Sequence, residues 1–234
     1  MLRTALSVLL TVTALFVAGC TRDSGGAPVA ADLPAAPTST SASAPRTLPT
    51  GTTGPAPQGA GDVPGVVPTS APPAPGELCV PTDLPPLRTV ARVGDPDAPT
   101  ATVAVPDGWT MLSGDGDVGA RLEGPAGEEA TVSITATSAD PAAAFRAYAD
   151  KLTDGYVITT LSVLPAEMCG FSGQKLTGIL SDGTETVQYE DRIVHVGTAQ
   201  GDYLIAVHVQ APSGAAGFDD AAATVTEDFE IGLP

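Results

Sequence analysis

Alternation of apolar and polar positions dominates the second half of the chain. Residues 130–136 set Ala130, Val132, Ile134 and Ala136 against Thr131, Ser133 and Thr135, the period of two that marks a half-buried strand. Shorter stretches of the same kind occupy 101–106, 109–112 and 118–123. They are separated by Pro106-Asp107-Gly108 and Ser113-Gly114-Asp115-Gly116-Asp117, and Gly124-Pro125-Ala126-Gly127 follows the last of them. After Asp140 the period lengthens. Phe145, Tyr148 and Leu152 recur at helical spacing with Ala144 and Ala149 on the same face, and Gly155 ends the run. Asp140 suits a helix cap, and Pro141 suits the first helical position, where a missing N–H is harmless. Strands then follow over 156–164, 171–180, 185–199 and 203–210, with turns at Ser181-Asp182-Gly183 and Gly201-Asp202. A closing helix carries Phe218, Ala221, Ala222, Val225 and Phe229 in one stripe.

Short connections favour antiparallel pairing, and a helix with one apolar face needs a sheet face to cover. The expected class is therefore α+β, an antiparallel β-sheet sandwiched with two amphipathic helices.

The N-terminal third follows a different pattern. Arg3 precedes an apolar run over residues 5–17, too short for the roughly 20 residues that span a bilayer. The run closes on Val17-Ala18-Gly19-Cys20, which resembles a bacterial lipobox. That resemblance implies cleavage before Cys20, diacylglycerol on its sulfur, and a mature protein held on the outer face of a membrane. From Thr21 to Leu78 the chain holds 12 of its 23 prolines and no aromatic residue. Such a segment cannot bury enough apolar surface to offset its ordering entropy, so a disordered tether with an end-to-end distance of about 40–45 Å is expected. The division is a signal peptide over 1–19, lipidated Cys20 with its tether over 20–78, and a globular domain over 79–234.

Charge narrows the partners. The chain has 27 acidic against 10 basic residues, a net charge of −17, and all but one of those charges falls after the tether. A field of that sign repels phosphate backbones and anionic headgroups, so nucleic acid is excluded as a partner and the only expected membrane attachment is the N-terminal lipid. Once Cys20 is acylated, Cys79 and Cys169 form an even pair in an oxidising compartment, and a disulfide between them is the default.

The inventory of chemistry is sparse. The two histidines, His195 and His208, both fall in strands. If Gly201-Asp202 is a two-residue turn, they lie directly opposite each other, a weak candidate for metal binding or pH sensing. No serine has the spacing of a nucleophile elbow; Gly170-Phe171-Ser172-Gly173 comes closest. Asp115-Gly116-Asp117 opens like a calcium loop, but the glutamate expected at the twelfth position is Ala126. No motif calls for a cofactor, and no catalytic residue is assigned. Trp109, the sole tryptophan, either anchors the core or lines an apolar cleft with Phe145, Tyr148 and Phe229.

Taken with the lipobox and the tether, the motif Val105-Pro106-Asp107-Gly108-Trp109, the helix after Asp140-Pro141 and the closing amphipathic helix resemble actinobacterial lipoproteins of the LpqN/LpqT type over roughly 101–231. The resemblance implies a PsbP-like α/β/α sandwich and a non-enzymatic envelope lipoprotein that meets a protein or lipid partner. Two functions are thus expected of the domain: a binding or scaffold module, or a carrier for an acylated envelope molecule. A secreted hydrolase is the third and weakest reading.

Overall fold

A computed structural model describes residues 63–68, 78–79, 87–227 and 229–234. The expected signal peptide, Cys20 and most of the expected tether lie outside the described residues. The elements are β1 (Leu78–Cys79), β2 (Arg88–Ala91), β3 (Thr100–Ala104), β4 (Thr110–Ser113), β5 (Val118–Glu123), β6 (Glu129–Thr137), α1 (Pro141–Thr153), β7 (Ile158–Pro165), β8 (Ser172–Ser181), β9 (Thr186–Gly197), β10 (Asp202–Pro212), α2 (Phe218–Thr226) and β11 (Glu230–Gly232). The fold is α+β. Its main sheet has seven strands in the order β4-β5-β6-β10-β9-β8-β7, and a four-stranded sheet has the order β1-β11-β3-β2, with antiparallel pairing throughout.

Both faces of the seven-stranded sheet are covered, because successive side chains on its central strands are apolar toward both sides. On one face Val194, Val196, Ile205, Val207 and Val209 meet Phe218, Ala222 and Val225 of α2, together with Ala101, Val103 and Ile231 of the smaller sheet. On the other, Leu176, Leu180, Tyr189, Ile193 and Ala206 meet Phe145 of α1. Phe145 is fully buried, which stabilises the fold by about 1.5–3 kcal/mol relative to an exposed ring.

The helix starts follow different local chemistry. Asp140 keeps an extended backbone and its Oδ1 accepts from the Ala143 amide at 2.9 Å, with Pro141 opening α1 as the sequence predicts. α2 opens instead at Gly217 in the left-handed region, with Asp219 and Asp220 in its first turn where the helix dipole favours negative charge.

Four features differ from the expected pattern. The closing helix stops at Thr226, so Phe229 is not on it; buried Phe229 instead leads into β11, which the pattern did not reveal. The four-stranded sheet was likewise not legible, since β1, β2 and β11 are too short to show a period of two.

The turn between β9 and β10 is also wider than two residues. Thr198 donates its amide to the Gly201 carbonyl at 2.8 Å, and its Oγ1 accepts from the amides of Gln200 and Gly201. This loop pairs His195 with Leu204 and His208 with Asp191, so the two histidines are not opposite each other.

The fourth difference falls within the expected tether, where residues 63–68 lie on β8. Gly65 accepts at its carbonyl from the Gly173 amide at 2.9 Å, Pro64 accepts from Gln174 Nε2 at 2.7 Å, and the Val67 amide donates to Ser172 Oγ at 3.0 Å. Ser172 and Gln174 are buried polar groups that need such partners, and Val66 packs on the Phe145 core beside them. A side chain at Gly65 would place its Cβ 1.8 Å from the Gly173 oxygen, and the φ of +72° disfavours any other residue there.

Cys79 and Cys169 are bonded, with Cα atoms 5.9 Å apart and a sequence separation of 90. Cys169 (φ 50°) and Gly170 (φ 81°) form a two-residue turn with both residues left-handed, closed by reciprocal hydrogen bonds between Met168 and Phe171. The bond therefore ties β1 of the small sheet to the turn that precedes β8 of the large one. Replacing both cysteines by alanine is expected to lower the unfolding free energy by about 2–5 kcal/mol, read from denaturant curves. A loss below about 1 kcal/mol would mean that the loop is already held by its other contacts.

Candidate functional site

Beneath α1, the covered face of the seven-stranded sheet carries a polar network among apolar neighbours. Pairing places His208 of β10 between Thr131 of β6 and Asp191 of β9, and Gln210 between Glu129 of β6 and Tyr189 of β9. Asp191 has no solvent exposure, while the His208 side chain is 22% exposed. One carboxylate oxygen of Asp191 lies 2.5 Å from His208 Nδ1, and the other accepts from the Tyr148 hydroxyl of α1 at 3.2 Å. His208 Nε2 sits 3.2 Å from Gln210 Oε1, and Gln210 Nε2 donates to Glu129 at 3.3 Å.

The proton positions follow from the partners. The Glu129 carboxylate only accepts, so the Gln210 amide must turn its NH₂ toward Glu129 and its oxygen toward His208. Both ring nitrogens of His208 then face oxygen atoms, of Asp191 and of Gln210. The ring pairs with a buried carboxylate. Burial opposes a charge on the ring, but the Asp191 carboxylate, the hydrogen bonds to Asp191 and Gln210, and the Glu129 charge outweigh it and raise the His208 pKa. Burial, and then the Asp191 charge, lift the Tyr148 phenol well above its ordinary range and push Tyr189 up to about 12. Tyr189 stacks its ring on His208 at 6.3 Å and donates to the Thr160 carbonyl of β7 at 2.9 Å. It lies across from Gly178, where a Cβ would come within 2.7 Å of the phenol oxygen, so glycine gives the ring room to reach β7.

This arrangement orients and holds. The network ties α1 to the sheet through Tyr148 and joins β6, β10, β9 and β7 through side chains. The sequence alone did not single out Asp191, Tyr189, Gln210 or Glu129. The available signal was a charged residue at the buried parity of β9, between Tyr189 and Ile193.

The other expected site residues are dispersed. Trp109 and Phe229 belong to the core on the α2 face and Phe145 and Tyr148 to the core on the α1 face, so the seven-stranded sheet separates them and they line no common cleft. The physical cause is the layering: Phe145 and Tyr148 sit on α1, which covers one face of the sheet, whereas Trp109 and Phe229 precede β4 and β11 and pack into the core on the other. His195, buried, directs Nε2 to the Ala139 carbonyl at 3.0 Å. It stands four residues from His208 in the ladder, about 13 Å along the strand, too far to share a metal ion with it. Among the described residues no group of three or more His, Cys, Asp or Glu is placed to hold a metal ion.

A cleft of about 520 Å³ lies between the 92–95 segment after β2 and the 114–117 loop between β4 and β5, with Val118, Ile134 and Tyr203 in its wall. Asp95, Asp115 and Asp117 line it together with Arg92. Tyr203 donates its hydroxyl to Asp95 at 2.8 Å, and Asp115 accepts from the Gly116 amide within its own loop.

Replacing Asp191 by alanine leaves His208 and Tyr148 without their shared acceptor and is expected to destabilise by roughly 3–5 kcal/mol in urea unfolding. A raised folded pKa means that the stabilisation from His208 is complete below its unfolded value of about 6.5 and fades as pH rises through the folded value. The stability gap between the wild type and His208→Gln should therefore be largest below about pH 6 and shrink above it. A gap that stays constant with pH would rule out the ion pair.

No family model and no curated protein sequence matches the chain. Among solved structures it is similar to that of LpqN, described as involved in cell envelope biogenesis of Mycobacterium tuberculosis. The identity is 21%, the match covers 63% of this chain and 91% of that one, and the TM-score is 0.49. A likeness that distant assigns neither family nor activity.

Proposed function

We propose that the chain is a lipid-anchored extracytoplasmic protein of the cell envelope whose folded domain binds or scaffolds a partner and does not catalyse a reaction. The observation that carries this reading is the Cys79–Cys169 bond. Disulfides persist in oxidising compartments, and this one accounts for two of the three cysteines. Cys20, which closes the Val17-Ala18-Gly19-Cys20 stretch after the apolar run, is the one left over for acylation. Diacylglycerol supplies the two chains that stable attachment requires, where a single chain binds only marginally.

The binding half of the proposal draws on the domain's surface. A strongly acidic domain attracts partners that present basic groups, and the Asp95/Asp115/Asp117 cleft falls within the size range of ligand pockets. The non-catalytic half draws on His208, whose two ring nitrogens are both engaged, and on His195, turned toward a backbone carbonyl.

Cells making the wild type and the Cys20→Ser variant test the anchor. Intact-mass analysis should find a wild-type mature form that begins at Cys20 with diacylglycerol added and partitions into detergent, while C20S moves to the aqueous phase. Identical partitioning of the two would overturn the anchored reading. In the same material, ester hydrolysis that disappears in His208→Gln would overturn the non-catalytic one.

A further inference from the structure

Residues 63–68 reach the domain almost entirely through their own main chain. Gln174 Nε2 donates to the Pro64 carbonyl, the Gly173 amide donates to the Gly65 carbonyl, and the Val67 amide donates to Ser172 Oγ. The partners run 174, 173, 172 as the segment runs 64, 65, 67, so it meets the start of β8 in the opposite direction. The Val66 amide bonds back to the Val63 carbonyl at 3.2 Å, which makes the segment a turn laid on the sheet rather than a further strand of it. Val66 adds the apolar contact, on the Phe145 core.

A second attachment lies close by. Cys79 is bonded to Cys169, three residues before Ser172. At 3.8 Å per residue Cys169 and Ser172 are at most about 11 Å apart, and with the cysteine pair and the Ser172 contact added, Val67 and Cys79 lie within about 25 Å of each other. The twelve residues of chain from Val67 to Cys79 can span about 40 Å. Chain of that length is not drawn taut between points so near. Tension applied N-terminal to Val63 therefore enters the domain through residues 63–68, and Cys79 takes it only after they have let go.

We propose that residues 63–68 are a releasable strap that gives the N-terminal tether two lengths, short while the strap is docked on β8 and long once it is peeled away, with the Cys79–Cys169 bond as the fixed stop. The sixteen residues from Val63 to Leu78 add roughly 50 Å of reach at about 3.3–3.6 Å per residue. Because Cys169 and Ser172 are neighbours in the chain, the tether leaves the domain from the same corner in both states. Release uncovers Ser172 and Gln174, whose polar groups then bond to water, and it removes no strand from either sheet. Gly65 suits docking in particular: its φ is +72°, and a Cβ there would lie 1.8 Å from the Gly173 oxygen. The load that works the strap rests on the N-terminal anchor proposed above; the strap itself does not.

The test uses the full chain carrying C20S under non-reducing conditions, so its outcome is independent of acylation. Stretched by its two ends in optical tweezers, the chain should lengthen first by a step of roughly 50 Å, at a force below the one that unfolds the domain. At rest, the Val67 and Gly173 amides should exchange hydrogen at one common rate, at least about tenfold faster than the amides of β9 and β10. Gly65→Val alters no residue of the sheet; it should abolish the first step and keep the later unfolding step.

A single step in which strap and domain yield together overturns the proposal. So does a first step that persists in Gly65→Val, a Gly65→Val chain with no cooperative unfolding step, or Val67 and Gly173 amides as slow as those of β9. Failure of the anchor would show instead in the partitioning of wild type against C20S, and leaves these readouts unchanged.

Discussion

A strand sends successive side chains to opposite faces, and in this protein both faces of the main sheet are covered. That constraint decides the rest. β9 alternates Tyr189, Asp191, Ile193 and His195 toward α1 with Val194 and Val196 toward α2 and the small sheet, so one strand contributes to two separate cores. A polar group that ends up buried on either parity has to be satisfied inside the protein.

Asp191 shows how that requirement is met. A carboxylate with no exposure is strongly unfavourable unless a cation and further donors surround it. His208 supplies the cationic partner when protonated and Tyr148 a second donor, while Gln210 and Glu129 extend the network on the far side of the ring. The consequence is mechanical. The helix that covers this face is joined to it by a directional bond as well as by Phe145, so its position over the strands is specified more narrowly than apolar packing alone would specify it.

Residues 63–68 and the disulfide act on the same part of the sheet from different sides. Ser172 and Gln174 at the start of β8 are buried on the α1 face and take their partners from Pro64 and Val67, while the turn just before β8 is bonded to β1. The folded unit therefore includes residues 63–68, well before Cys79. A pull through residues N-terminal to Val63 would be felt at these hydrogen bonds before it reached the covalent bond.

By itself the sequence determined the α+β class, the start of α1 at Asp140-Pro141, the extents of β6 to β10 within a few residues, and the pairing of Cys79 with Cys169. Each of these rests on local chemistry: a cap, a period or a parity of cysteines. It also placed both histidines in strands, yet paired them with each other wrongly. A shift of four residues in a hairpin leaves every side chain on its original face, so the apolar pattern cannot distinguish the two registers, and the Thr198 loop made the choice. Tertiary structure alone decided that Asp191 meets His208, that Trp109 and Phe145 lie on opposite sides of a sheet, and that a proline-rich stretch at 63–68 belongs to the domain. These outcomes depend on groups brought together from distant parts of the chain, and nothing in the immediate sequence around any one of them carries that information.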